Sequence, residues 1–126
     1  MESFPEQHYA NGVRKNEATS RSFKACVRIL KHVRGKLLDQ NTISKELMSS
    51  YFLECLVWNA PDARFANKTY REDVLAVVSQ VWGDMRDASK SNDYAEVSDL
   101  RWMFRGGQRK PQDAEEFMVR AWNFLN

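Results

Sequence analysis

The stretch SSYFLECLVWNAPD, residues 49–62, decides the fold, because it has the composition of a short helix buried at the centre of a domain. Eight of the ten residues from Tyr51 to Ala60 are apolar, which indicates packing on nearly every side of the helix. Ser50 and Glu54 nevertheless share one edge by their i,i+4 spacing. Burying such groups without partners costs about 1–3 kcal/mol each, so this edge either meets water or faces another group.

Helical spacing continues on both sides of this stretch. Before it, residues 17–38 carry an apolar residue every three or four positions, which predicts an amphipathic helix. The members of this apolar stripe are Phe23, Val27, Leu30, Val33 and Leu37. After it, Thr69 and Glu72 form a capping-box pattern, which predicts a helix running to about Asp87. Pro111 suits the first turn of a last helix, whose start is rich in acidic residues.

Length and composition favour a single all-α domain. The chain has 126 residues, and its five Gly and three Pro are few for the many turns of a sandwich or barrel. We predict an all-α fold of four main helices plus a shorter one, with residues 94–104 as a short helix or an irregular packed segment. Residues 1–16 show no clear period and contain the turn signal Asn11-Gly12. We therefore predict an irregular arm or linker there, followed by a compact helical domain over residues 17–126.

The distribution of charge says more than its total. The net charge is only +2, but residues 1–40 hold eight Lys and Arg against four Asp and Glu, which points to a local anion site. The basic residues opposite the apolar stripe of residues 17–38 are Arg21, Lys24, Arg28 and, on the flank, Lys31. A solvated helix face is the simpler interpretation of this basic stripe, and phosphate binding through charge-assisted hydrogen bonds is the functional one.

Several kinds of chemistry have little basis in the sequence. Cys26 and Cys55 both fall within predicted helices, where two buried reduced thiols are favoured over a disulfide. With only two His as well, a zinc site has few ligands to draw on. There is no P-loop, no GxGxxG and no Ser–His or Cys–His pair recognisable from its spacing. The polar N-terminus and the short apolar runs argue against a signal peptide or a membrane-spanning helix, so we expect a cytoplasmic protein.

Five segments in order carry a family resemblance: FPEQHYANGVRKNEAT, FKACVRILKHVR, SSYFLECLVWNAPDARF, TYREDV and DLRWMFRGGQRKPQDAEEFMVRAWNFL. Together they resemble the C-terminal helical half of bacterial cGAS/DncV-like nucleotidyltransferases, which make cyclic di- and trinucleotide second messengers in antiphage signalling. The most specific pieces are the helix FKACVRILK, residues 23–31, and the pattern Ser-Tyr-x-x-Glu-Cys-Leu-Val-x-Asn-x-Pro, residues 50–61. The resemblance covers nearly the whole chain.

The resemblance implies that the polar edge of the opening stretch is the wall of a nucleotide cleft. In the superfamily, which includes cGAS and the oligoadenylate synthetases, the helical half closes over a nucleotide bound to the catalytic half. The lysine matching Lys31 contacts the triphosphate, the serine matching Ser50 reaches a phosphate, and the tyrosine matching Tyr51 stacks on a base. Arg28 and Lys24, on the basic stripe, are further candidates for phosphate contacts.

The resemblance also implies that a catalytic half is missing. The Gly-Ser loop and metal-binding aspartates of the family have no counterpart here, so we assign no catalytic or metal-binding residue and expect no activity from this chain alone. Mg²⁺ would serve the full enzyme, in which a ribose hydroxyl attacks the α-phosphorus of a triphosphate. The implied partners are nucleoside triphosphates and the missing half, in cis or in trans, and homodimerisation is left open.

Two alternatives belong to other classes of protein. One is a stand-alone protein-interaction domain, which an exposed patch around Trp102, Met103 and Phe104 would favour. The other is a basic nucleic-acid-binding domain, which a strong salt dependence of binding would reveal. Its candidate contact residues are Arg21, Lys24, Arg28 and Arg34.

Overall fold

The computed structural model of the protein describes residues 5–107 and 109–126, and its regular structure is helical throughout these ranges. In chain order the α-helices are α1 (Pro5–Ala18), α2 (Ser22–Asp39), α3 (Ser50–Trp58), α4 (Tyr70–Met85), α5 (Ala88–Ser91) and α6 (Pro111–Leu125). A 3₁₀ turn at Asp62–Phe65 links α3 to α4. The predicted all-α class is confirmed, with one long helix more than the four expected because the N-terminal segment is also helical.

The N-terminal segment differs from its prediction. An irregular arm is wrong for residues 5–16, which belong to α1, whereas residues 1–4 lie outside the described residues. Polar contacts help to hold α1 in place: Asn11 donates to the Val97 carbonyl at 2.7 Å, and Lys15 donates to the Ala60 carbonyl at 2.5 Å. A helix held by side-chain hydrogen bonds does not need the apolar period that would have predicted it. Its role as a linker stays a prediction.

The opening stretch forms α3, and α3 lies in the core. All five of its apolar residues from Phe52 to Val57 are at most 2% exposed. α2 packs against it with the predicted apolar stripe, of which Phe23 and Leu30 are fully buried. The central position of α3 and the buried apolar face of α2 are therefore both as predicted.

α4 and α6 form the other side of the domain and pack along one another. The predicted cap is confirmed at Thr69, whose Oγ1 accepts a hydrogen bond from the Glu72 amide at 3.1 Å. Pro111 is the first residue of α6, where its missing N–H costs nothing. Phe117 is buried on the predicted apolar face, but Trp122 remains 41% exposed.

Residues 92–107, 109 and 110 form an irregular connection that packs on the end of α3. The Asn59 side chain donates to the Ala95 carbonyl at 2.6 Å and accepts from the Ala95 amide at 3.0 Å. Met103 and Phe104 are buried, so the patch that would have favoured an interaction domain reduces to Trp102, over which the Arg105 guanidinium lies at 3.7 Å.

Two further sequence-based expectations concern thiols and membranes. Cys26 and Cys55 are free thiols in the core, and burial raises their pKa values to about 11 and about 12. Within the described ranges, every helix is too short or too polar to cross a bilayer.

Candidate functional site

The first turn of α3 carries two serines with different surroundings. Ser49 is the N-cap, and its Oγ accepts a hydrogen bond from the Phe52 amide at 3.1 Å. Ser50 is therefore the first helical residue, half-buried at the end of α3 where the helix dipole favours anions. In the described part of the chain the Ser50 hydroxyl has no hydrogen-bond partner, so it can accept a ligand without breaking a bond.

Tyr51 is held at its hydroxyl and on one ring face. Its hydroxyl donates to Glu96 Oε1 at 2.8 Å, and Glu96 is only 3% exposed. The His8 ring stacks on it with centroids 5.5 Å apart and an interplanar angle of 24°. Burial and the hydrogen bond to Glu96 raise the pKa of Tyr51, so its hydroxyl stays protonated and donates to the carboxylate. These contacts fix the ring in one orientation.

Glu54 has the His8 ring and the Lys31 ammonium as neighbours on the polar edge of α3. His8 Nε2 lies 3.3 Å from Glu54 Oε2, and Lys31 Nζ lies 3.6 Å from Glu54 Oε1. The Lys31 side chain is 41% exposed, and exposed ion pairs contribute only about 0–1 kcal/mol. Lys31 can therefore leave Glu54 for a more strongly charged partner at little cost.

These residues form one group, which we call the α3 cluster: Ser50, Tyr51, Glu54, Lys31 and His8. Lys31 pairs with Glu54, and His8, which also contacts Glu54, stacks on the Tyr51 ring; Ser50 directly precedes Tyr51 in the helix. These three predicted site residues lie on two neighbouring helices, as a shared site requires.

The other two predicted phosphate contacts lie elsewhere. Lys24 and Arg28 line a separate cleft between α1, α2 and the first residue of α4, which we call the basic cleft. Its charged and aromatic lining residues are Glu17, Arg21, Lys24, Arg28 and Tyr70. Arg34 does not join this cleft, because its Nε donates to the Met48 carbonyl at 2.6 Å. The basic stripe seen in the sequence is therefore divided between two surroundings, the basic cleft and, for Lys31, the α3 cluster.

Two residues of the site were missed by sequence reasoning. Glu96 is a single carboxylate inside the apolar run Tyr94–Val97, and a buried carboxylate needs a partner, so this signal could have been used. His8 gave no such signal, because it lies in the segment without a clear period. Its Nδ1 is buried and has no hydrogen-bond partner among the described residues.

The residues present do not fit a magnesium site. Glu54 is engaged by His8 and Lys31, and Glu96 is engaged by Tyr51, so these two carboxylates do not converge on open space. Across residues 5–107 and 109–126, no three His, Cys, Asp or Glu side chains are close enough to hold a metal ion. What the site offers is a cation, a hydroxyl and an aromatic ring, which suit the phosphates and base of a nucleotide.

The described residues thus form an all-α domain whose central helix, α3, carries this group of side chains at its start. Comparison with known proteins gives the family: the model for the cGAS/DncV-like nucleotidyltransferase C-terminal helical domain matches residues 10–126. The chain belongs to this family.

Named relatives agree with this assignment. The cyclic dipurine nucleotide synthase of Elizabethkingia meningoseptica is 43% identical over 98% of this chain and 41% of that protein. The cyclic dipyrimidine nucleotide synthase CdnE of Cecembia lonarensis is 34% identical over 99% of this chain and 43% of that protein. The structure of Elizabethkingia meningoseptica CdnE cyclic dinucleotide synthase with GTP and Apcpp matches with a TM-score of 0.92 at 42% identity, over 98% of this chain and 45% of that chain. The chain thus spans about two-fifths of the length of these curated relatives.

Proposed function

We propose that this chain is the nucleotide-positioning helical half of an enzyme that joins nucleoside triphosphates into cyclic oligonucleotides. The observation that carries the proposal is the grouping of Lys31, Ser50 and Tyr51 at the start of α3. Family membership supports it, as does the related structure with GTP and Apcpp. The setting implied by the family resemblance is antiphage signalling in the cytoplasm.

Lys31 would bind the triphosphate. Its ammonium group is partly exposed and forms only a long ion pair, 3.6 Å, with Glu54. A triphosphate carries a denser negative charge than one carboxylate and attracts an ammonium more strongly. When Lys31 moves to the phosphates, His8 remains beside Glu54, so the half-buried carboxylate keeps one partner.

Ser50 and Tyr51 would hold the other parts of the nucleotide. The Ser50 hydroxyl lies at the N-terminal end of α3, where the helix dipole adds to a hydrogen bond with a phosphate oxygen. The Tyr51 ring is held by Glu96 and His8, and a base would stack on the face opposite His8. A ring that is already fixed loses little entropy when the base stacks on it.

The contribution of this chain to the reaction is positional. Attack of a ribose hydroxyl on the α-phosphorus requires the two reacting groups to be held in line, and such positioning can supply about 7–11 kcal/mol of the barrier. Lys31 and Ser50 would fix the phosphates, and Tyr51 would fix the base. The carboxylates that the chemistry also needs would come from the other half of the enzyme, joined in cis or supplied in trans.

An amide NMR titration of this chain with ATP and with GTP, in the presence of Mg²⁺, tests the proposal. We expect shifts centred on Lys31, Ser50 and Tyr51, and an affinity about tenfold lower in Lys31→Ala and in Tyr51→Ala. Lys36→Ala is the matched control, because it removes one exposed lysine from the same helix away from the α3 cluster. Unchanged spectra at millimolar nucleotide would mean that this chain does not bind nucleotide by itself.

A further inference from the structure

The basic cleft has no role in the proposed nucleotide site, and its composition calls for a ligand of its own. Lys24 and Arg28 lie on one face of α2, and Arg21 is the residue just before that helix. Their spacing of three and four residues places them over roughly 10 Å of helix axis, at about 1.5 Å per residue. The cleft is therefore long enough for more than one phosphate of an extended anion.

The three cations lack anionic partners. Among the described residues the Arg21 and Arg28 side chains form no ion pair or hydrogen bond, and Lys24 contacts only the Tyr9 ring, 5.9 Å from its centroid. Glu17 is the one carboxylate that lines the cleft, and it too forms no ion pair within this part of the chain. Among the described residues, four other cations pair with carboxylates, at distances of 2.6 to 3.7 Å: Lys15, Lys31, Arg86 and Arg105.

Two exposed aromatic rings lie beside these cations. Tyr9 is 70% exposed and is the ring that Lys24 contacts, and Tyr70 is 50% exposed and lines the cleft. Cations that follow a phosphate backbone, next to rings on which bases can stack, are the combination by which proteins bind single strands.

We propose that the basic cleft binds single-stranded nucleic acid. Arg21, Lys24 and Arg28 contact successive phosphates, and Tyr9 and Tyr70 stack on bases. An acidic protein segment would use the same three cations but would gain little from the two rings, so the rings favour nucleic acid. The cleft shares no residue with the α3 cluster, and the proposal therefore stands or fails independently of nucleotide binding by Lys31 and Tyr51.

Fluorescence anisotropy with this chain and labelled oligo-U and oligo-T strands of about ten nucleotides tests the proposal. Each phosphate contact on a single strand contributes about −0.7 to the slope of log affinity against log salt, so three contacts predict a slope of about −2. Arg21→Ala combined with Arg28→Ala should lower the affinity at least about tenfold and bring the slope to about −0.7. Lys36→Ala combined with Lys45→Ala removes the same charge from exposed positions outside the cleft and should leave binding unchanged.

The rings are tested separately from the charges. Tyr9→Leu combined with Tyr70→Leu should lower the affinity at least about thirtyfold with no change in the salt slope, since base stacking contributes about 1–3 kcal/mol per base and two bases lose it. Lys31→Ala combined with Tyr51→Ala should keep oligonucleotide binding while it loses ATP binding. Thermal melting of each variant separates lost binding from lost folding.

Three results would overturn the proposal. The first is no oligonucleotide binding at about 50 mM salt, where the electrostatic attraction is strong. The second is an equal loss of affinity in the control pair Lys36→Ala and Lys45→Ala, which would indicate an effect of total charge. The third is a polyglutamate peptide of similar charge that binds as tightly as the oligonucleotides, which would indicate an acidic protein partner instead.

Discussion

At the scale of single residues, the two serines that open α3 separate stability from binding. Ser49 caps the helix through the Phe52 amide, whereas the Ser50 hydroxyl forms no hydrogen bond in the described part of the chain. Either serine has a side chain of the type that caps a helix. Because the structure gives that role to Ser49, Ser50 is available for a ligand.

Alanine substitutions at these two serines should therefore change different quantities: the stability for Ser49 and the affinity for ATP for Ser50. Ser49→Ala should lower the free energy of unfolding by about 1 kcal/mol, the usual value for a lost N-cap. Ser50→Ala should change it by less than about 0.5 kcal/mol, but should weaken ATP binding about tenfold because a hydrogen bond to a charged phosphate is lost. Urea unfolding and the NMR titration measure the two quantities. A destabilised Ser50→Ala with unchanged ATP affinity would assign Ser50 to the cap and contradict its phosphate contact.

Glu54 shows how a polar residue is accommodated in a helix that is otherwise apolar. It lies on the edge of α3 where His8 and Lys31 approach from α1 and α2. Tyr51, three residues earlier, donates a hydrogen bond to the buried Glu96, which lies in the connection before α6. Other elements of the domain therefore supply partners for Tyr51 and Glu54, whereas Ser50 on the same edge has none among the described residues.

At the scale of elements, α1 is the helix whose position depends on side-chain hydrogen bonds to other elements. Lys15 connects it to the end of α3, donating to the Ala60 carbonyl at 2.5 Å and to Asp62 at 2.6 Å. The Lys15 side chain is only 12% exposed, whereas Asp62 is 57% exposed. The hydrogen bond to the Ala60 carbonyl is therefore better shielded from water than the ion pair with Asp62. This hydrogen bond helps to hold α1 where its residue His8 joins the α3 cluster.

Replacing Lys15 should loosen α1 more than the rest of the domain. We expect Lys15→Ala to lower the free energy of unfolding by about 1–3 kcal/mol, because it leaves the Ala60 carbonyl without its partner. Hydrogen exchange should become faster in α1 and stay unchanged in α4 and α6. Asp62→Asn is the control and should cost at most about 1 kcal/mol, since its pair is largely exposed. Unchanged exchange in α1 would show that apolar packing on α2 holds this helix without the lysine.

At the scale of the whole molecule, the chain corresponds to about two-fifths of the enzymes it resembles. Its described residues include the α3 cluster, whose side chains suit a nucleotide, but no cluster of carboxylates that could hold a metal ion. Binding and chemistry are thus expected to be divided between two halves, with this half supplying orientation.

This division predicts that the chain alone makes no product. After incubation with ATP, GTP and Mg²⁺, mass spectrometry should find no cyclic or linear dinucleotide above the level of a sample without protein. Lys31→Ala serves as a second reference, because it should remove any synthesis that depends on the α3 cluster. A dinucleotide made by the unmodified chain and absent with Lys31→Ala would contradict the division of roles.

The amino-acid sequence by itself determined the features that depend on residues close together in the chain. The apolar spacing from Phe23 to Leu37 is enough to define α2, because one turn of helix returns every three or four residues to the same face. Thr69 and Pro111 define the starts of α4 and α6 for equally local reasons. The order of these motifs was also enough to give the family, which the match over residues 10–126 confirms.

Only the tertiary structure decided which distant residues meet. Asn11 binds the Val97 carbonyl, Tyr51 binds Glu96, and Lys24 and Arg28 line the basic cleft although they lie on the same helix as Lys31. The physical reason is that each of these placements depends on how whole helices pack. A hydrogen bond between residues far apart in the chain leaves no period in the sequence, and a stripe of like charges does not state which neighbour each charge will have.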